Sequence, residues 1–210
     1  MTRSCGVLMP VFSLPSKYSI GSFGKWAYKF VDFLKKSGHD YWQGLPMCQT
    51  GYGDSPYQTT CDISGNPYFI DLETLRDERL LTYREVMRAI DKSDLIDYGK
   101  LYNERYPLLR KAFSRFDRTD KHFKAFLKTG DYRDYALFMA LTEKFNAPWY
   151  NWSDEFKKRD EAALGKFEAE NKDEVLFWQF VQYEFWKQYF ALKKYANKRG
   201  IKIIGDMPLY

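Results

Sequence analysis

Thr50 to Gln58, TGYGDSPYQ, gathers the most chemically suggestive side chains of this 210-residue chain. Two glycines flank Tyr52, and Pro56 stiffens the backbone ahead of Tyr57. Glycine reaches positive φ without steric cost, so such a loop lets its backbone approach a ligand closely. It offers two phenol rings, the carboxylate of Asp54 and the hydroxyl of Ser55. Rings beside carboxylates and hydroxyls suit sugars, whose C–H faces stack on aromatics while their hydroxyls take directional hydrogen bonds. The same stretch reads equally as an ordinary structural turn. It is not a phosphate loop, because no GKS or GKT is present and no helix starts immediately after it. A second candidate is Asp206, which follows Gly205 at the end of the apolar run Ile201 to Ile204. A carboxylate at the carboxyl end of a parallel strand is a common position for site residues in barrels. The alternative is an aspartate that caps a helix or loop.

Other chemistries have less to stand on. The three cysteines, Cys5, Cys48 and Cys61, are odd in number and lack CxxC spacing, which argues for a reducing compartment and against a disulfide framework. His39 and His122 are the only histidines and stand far apart, so a zinc site and a serine or cysteine triad are both disfavoured. The net charge of +5 is spread over interleaved Lys, Arg, Asp and Glu, a pattern of solvated helix faces more than of a nucleic-acid surface. Aromatics make up 19% of the chain, enough for a ring-rich core or for rings lining a groove. Pro10 and Pro15 interrupt the N-terminal apolar stretch, leaving neither a membrane span nor a signal-peptide core. A soluble, cytoplasmic protein is expected.

The elements that must position the loop follow from hydrophobic patterning. Gly6 to Phe12 and Tyr41 to Leu45 read as short buried strands. Between them, Lys25 to Ser37 reads as a helix with Trp26, Phe30, Phe33 and Leu34 on one face and Gly38 as its stop. That order is a βαβ unit and calls for a parallel sheet. Met47 to Pro67 is a loop, and Tyr68 to Leu72 a short extended piece. From Glu73 onward the pattern is nearly all helical. It includes a capping box at Thr82 and Glu85, an amphipathic helix over Tyr132 to Asn146, and a long helix from about Asp173 to Arg199 closed by Gly200. In the first of these helices Tyr135, Phe138, Met139, Thr142 and Phe145 share a stripe; in the second the apolar face runs from Leu176 to Leu192. Ile201 to Asp206 returns to a strand pattern. Two strands so far apart in sequence imply an α/β sheet with a helical insertion in the connection after strand two.

These segments together resemble the 4-alpha-glucanotransferases, or amylomaltases, of glycoside hydrolase family 77. The likeness runs from end to end: GVLMPVFSLPSKYSIGSFG at 6–24, FVDFLKKSGHDYWQGLPM at 30–47, TGYGDSPYQ at 50–58, SGNPYFIDLETL at 64–75, DYALFMAL at 134–141 and ALKKYANKRGIKIIGDMPLY at 191–210. Val11-Phe12 departs from the small polar residues that relatives often carry there. The resemblance implies an incomplete (β/α)8 TIM barrel, since about 250 residues are typical of the whole. It divides the chain into strands one and two with the substrate loop (1–72), an inserted, mainly helical subdomain (73–172), and a barrel helix with strand three (173–210).

The implied activity is transfer of an α-1,4-glucan segment to the 4-hydroxyl of an acceptor glucan or glucose. The implied mechanism is retaining, with a carboxylate nucleophile and a second carboxyl acting as acid then base. The implied partners are maltooligosaccharides, amylose and glycogen, with glucose or maltose as acceptor. Nucleic acid, membrane, metal and organic cofactor are not implied. By motif, Tyr57 resembles the ring that stacks on the sugar at the cleavage site and Tyr52 a ring that contacts glucan nearby. Asp54 and Ser55 shape that loop, and Asp206 matches the strand-three aspartate that supports the site. The family's catalytic carboxylates lie on later strands, so they are expected beyond Tyr210. No catalytic residue is therefore expected among 1–210, and this segment alone is expected to be inactive. The alternative reading is a carbohydrate-binding remnant without chemistry.

Overall fold

A computed structural model describes residues 3–51, 53–91, 93 and 95–208. It is a mixed α/β structure: β1 (Gly6–Leu8), α1 (Lys25–Lys36) and β2 (Tyr41–Gln43) come first, and β3 (Lys202–Ile204) comes last. Between β2 and β3 lie α2 (Leu72–Asp77), α3 (Tyr83–Arg88), α4 (Tyr98–Arg115), α5 (Lys121–Thr129), α6 (Arg133–Phe145), α7 (Asp154–Lys157), α8 (Glu161–Glu170) and α9 (Lys172–Lys198). The strands form one parallel sheet in the order β1-β2-β3, with Val7 opposite Trp42 and Trp42 opposite Ile203.

The strands are shorter than the apolar runs suggest. Pro10 has no N–H to give a ladder, so after the Met9 N–H to Gln43 carbonyl bond (2.9 Å) the chain turns into a 3-10 segment, Val11–Ser13. The strands are also less buried than expected: Leu8 and Ile204, on the two outer strands, are 53% and 42% exposed. Trp42 on the middle strand is buried, and its indole N–H donates to the Met9 carbonyl at 2.7 Å.

Helix α1 corrects the expected stripe. Its buried residues are Ala27, Val31 and Leu34, while Trp26 and Phe33 are exposed. Residues three and four apart share a face, and of the expected stripe Leu34 lies on the buried one. Phe30 meets Trp42 edge-on at 5.1 Å. Gly38, at φ 73°, closes the helix. Helix α6 differs in part: Tyr135 of the expected stripe is buried, together with Ala136, Leu137, Ala140 and Leu141, while Phe138 and Met139 are only half-buried. The α9 face is as expected, with Phe177, Phe180, Val181, Phe185 and Leu192 all buried.

Of Tyr68 to Leu72, only Ile70 and Asp71 are extended. Asn66 caps a 3-10 turn, Pro67–Phe69, and Asp71 caps α2 by accepting from the Thr74 N–H at 2.8 Å. An Asn followed by Pro, and an Asp three residues before Thr74, are local start signals that outweigh the short apolar run. The Thr82–Glu85 capping box forms as the spacing predicts.

The chain divides into two compact units, residues 1–116 with 184–210, and residues 117–183. The first contains the sheet, and α9 contributes residues to both. The core of the second is aromatic, built around Phe123, Tyr135, Trp152, Phe167 and Trp178. No helix among the described residues is long and apolar enough to cross a membrane.

Candidate functional site at the strand ends

The loop that leaves β2 is anchored at its base and open at its tip. Antiparallel bridges join Cys48 to Gly65 and Thr50 to Thr59. The Asn66 N–H donates to the Met47 carbonyl (2.8 Å) and the Gly51 N–H to the Gln58 carbonyl (2.9 Å). Ser64 and Asn66 are buried at the base, and Gly65 lies against the ring of Phe185 so closely that a Cβ would overlap it. At the tip, Gly53 and Asp54 both adopt positive φ, 99° and 58°. Aspartate tolerates this region better than most side chains. The Ser55 hydroxyl accepts from the Tyr57 N–H at 3.4 Å, and the Ser55 carbonyl accepts from the Gln58 N–H at 3.1 Å, so this serine shapes the turn.

The principal contact joins residues 149 apart in sequence: the Tyr57 hydroxyl donates to Asp206 Oδ2 at 2.7 Å. Asp206 Oδ1 accepts the Met207 N–H at 2.9 Å, which sets the orientation of the carboxylate. That Tyr57–Asp206 bond is the main reason the Tyr57 phenol is held above its ordinary pKa, with lesser contributions from burial and from the Asp206 charge. Tyr57 therefore stays a neutral ring, and Asp206 stays exposed beside it. The sheet makes this possible by setting β3 next to β2, so that the segments after Gln43 and after Ile204 emerge on one side.

Asp54 faces another part of the unit. With Gln49, Thr50 and Gly53 it lines a groove of about 660 Å³ whose opposite wall is tyrosine, a volume within the ~300–1,000 Å³ of small-molecule sites. Burial raises the Asp54 carboxyl above its usual value. Tyr98, Tyr102 and Tyr106 stand one helical turn apart along α4, and Tyr68 joins them from the 3-10 turn. Their rings meet at 5.0 Å (Tyr102–Tyr106) and 6.1 Å (Tyr68–Tyr106). Burial pushes the Tyr68 and Tyr98 phenols up, and the Asp54 charge adds to both shifts. Behind this wall the buried Arg105 donates to the Ile70 carbonyl at 2.9 Å, and burial lowers its pKa to about 10.

The expected site residues thus fall into two groups. Tyr57 and Asp206 meet directly, with Ser55 supporting the turn between the loop strands, while Asp54 belongs to the tyrosine groove. Tyr52 lies outside the described residues, and so does Tyr210, beyond which the catalytic carboxylates are expected. Tyr98, Tyr102 and Tyr106 were not among the expected site residues. The signal available was their i, i+4, i+8 spacing, which places three rings on one helix face.

The sequence pattern of glycoside hydrolase family 77, the 4-alpha-glucanotransferases, matches residues 9–210. A 4-alpha-glucanotransferase of Clostridium butyricum is 47% identical over 96% of this chain and 43% of its own length. One from Aquifex aeolicus is 42% identical over 99% of this chain and again 43% of its own length. Among solved structures, the amylomaltase of Streptococcus agalactiae in complex with acarbose matches the whole chain with a TM-score of 0.93 and 38% identity, over 44% of that structure. The chain therefore spans less than half the length of these relatives.

Proposed function

The chain belongs to the 4-alpha-glucanotransferase family, and on that premise we propose that the protein transfers an α-1,4-glucan segment to the 4-hydroxyl of an acceptor glucan or glucose. The donors are maltooligosaccharides, amylose or glycogen, and glucose and maltose serve as acceptors. The observation that carries this reading is the 2.7 Å hydrogen bond from Tyr57 to Asp206. It braces a ring and a carboxylate at neighbouring strand ends, where a sugar can stack on one and hydrogen-bond to the other. Tyr57 is the stacking ring, and Asp206 holds it and accepts from a sugar hydroxyl. Tyr52 contacts glucan nearby, Asp54 and the tyrosine wall contact it further along the chain, and Ser55 maintains the turn. The three strands are the first three of a (β/α)8 barrel, and residues 73–172 are an inserted helical subdomain. The free thiols Cys5, Cys48 and Cys61 fit a cytoplasmic setting.

Retaining transfer needs a nucleophilic carboxylate and an acid/base carboxyl about 5–5.5 Å apart. We assign neither role among residues 1–210 and place both beyond Tyr210. Asp206 and Asp54 bind and position. The protein as its gene encodes it should convert maltotriose into glucose and longer maltooligosaccharides, read by chromatography of the products. Residues 1–210 expressed alone should give none. Absence of longer products from the gene-encoded protein would refute the transferase reading. Glucose release by 1–210 alone would refute the assignment of only binding roles to this segment.

A further inference from the structure

The helical unit 117–183 carries a concavity of its own, about 250 Å³ in volume. Trp149 stands at its rim on the short 3-10 turn Trp149–Asn151, with 54% of its surface exposed, and Tyr150 beside it is 61% exposed. The two rings lie 6.1 Å apart at 76°, presenting faces in different directions. Exposing large rings forgoes the stabilisation that burial would bring. The floor is firm: Trp152 is buried, packs on Phe138 at 5.5 Å and donates its indole N–H to the Ala147 carbonyl at 2.9 Å. The turn that holds Trp149 is thereby fixed from below.

The polar part of the rim limits what fits. Arg159 donates to Asp134 Oδ2 at 2.6 Å, and Lys157 pairs with Asp154 at 3.1 Å. Asp154 also pairs with Lys158 at 2.9 Å, so each of these charges has an opposite partner and none is presented alone to a phosphate or a cation. A guanidinium with further N–H groups and a carboxylate with a second oxygen still offer adjacent donors and acceptors. An exposed indole face beside a neutral donor–acceptor pair matches a pyranose, with its C–H face on the ring and its hydroxyls bridging the pair. The volume is below the ~300–1,000 Å³ of drug-sized sites. It suits one or two sugar rings of a chain that continues into solvent.

We propose that Trp149 and Tyr150, with the Asp134–Arg159 pair, form an accessory site that holds α-1,4-glucan polymer without chemistry. This rests on the reading that such glucans are the substrate. A polymer held here has a raised effective concentration at every other site of the same molecule. A short donor such as maltotriose gains nothing from being held away from the reacting bond. The site therefore acts on the KM for long glucans and leaves turnover of maltotriose alone.

The test uses the gene-encoded protein with Trp149→Ala and Tyr150→Ala combined. Electrophoresis through gels containing glycogen gives the affinity for polymer, and the KM for amylose and maltotriose turnover are measured on the same preparations. The expected result is at least about 5-fold weaker retardation and about 3-fold higher KM for amylose, with maltotriose turnover within about 2-fold. Wild-type retardation in the double variant would overturn the site while leaving the transferase reading intact. Absence of maltotriose turnover in the wild type would remove the transferase reading and this inference with it. Should the double variant fail to fold, Tyr150→Ser alone carries the test, since that ring is largely exposed. It should weaken retardation about 2-fold, and unchanged retardation would overturn the proposal.

Discussion

The two compact units bury different things. The buried charged residues among those described, Asp71, Arg105 and Glu184, all belong to the unit with the sheet. Each reaches across a long sequence gap or is in contact with a group that does. Asp71 accepts from Ser22, the Asp71 N–H donates to Gln188, and Arg105 donates to the carbonyls of Ile70 and Tyr18. Glu184 accepts from Lys187, which also reaches Glu78. The helical unit is held instead by rings from neighbouring helices, such as Tyr135 on Trp178 and Phe156 on Phe167. Apolar packing tolerates repacking at modest cost, whereas a buried charge needs its partner in place. The unit that fixes a loop at the strand ends buries charged groups in doing so, whereas the long-range ion pairs of the helical unit, such as Arg133 with Glu168, lie at its surface around a core of rings.

Gly65→Ala should break this contrast most severely. The new methyl group meets the Phe185 ring at the base of the loop, and such overpacking costs about 3 kcal/mol. Denaturant unfolding should register that loss in the sheet-bearing unit. A change below about 1 kcal/mol would mean the loop base is softer than its burial implies.

Next in size is Asp206→Ala, which removes the brace on Tyr57 and the acceptor proposed for a sugar hydroxyl. Turnover should fall about 100-fold, while Tyr57→Phe, which keeps the ring, should lose about 10-fold or less. If both variants lose equally, the loss in each comes from the Tyr57–Asp206 hydrogen bond, and the separate acceptor role given to Asp206 would fall.

The smallest effect is a pH dependence. Burial pushes Glu184 up to about 7 from an ordinary 4.5. The unfolded chain gives up that proton near 4.5 while the folded chain keeps it, so stability from this group falls as pH rises from 4.5 to about 7. Glu184→Gln should flatten that slope between about pH 4.5 and 8. Thermal melts over that range test it, and an unchanged slope would assign the pH dependence to another group.

Much of the local structure was legible in the residues. Gly38 and Gly200 sit at positive φ where the helices stop, and Thr82 with Glu85 forms its box, because caps depend on residues a few positions apart. The faces of α1 and α6 were legible only in part: Leu34 and Tyr135 are buried as the spacing suggests. Trp26 and Phe33 look like core, yet Ala27 and Val31 face inward, since the packed partner alone selects which stripe of a helix is covered.

The same division holds for the site. Residue order was enough for a glycine-punctuated loop bearing Asp54, Ser55 and Tyr57, for a strand ending in Asp206, and for the family to which those motifs point. It took the folded chain to bring Tyr57 onto Asp206, to turn Asp54 toward a wall of tyrosines on α4, and to leave Trp149 exposed over a firm floor. Those outcomes depend on the register of β2 against β3 and on the packing of helices far apart in the chain. Such contacts arise from the summed burial of many side chains, which no single stretch of sequence encodes.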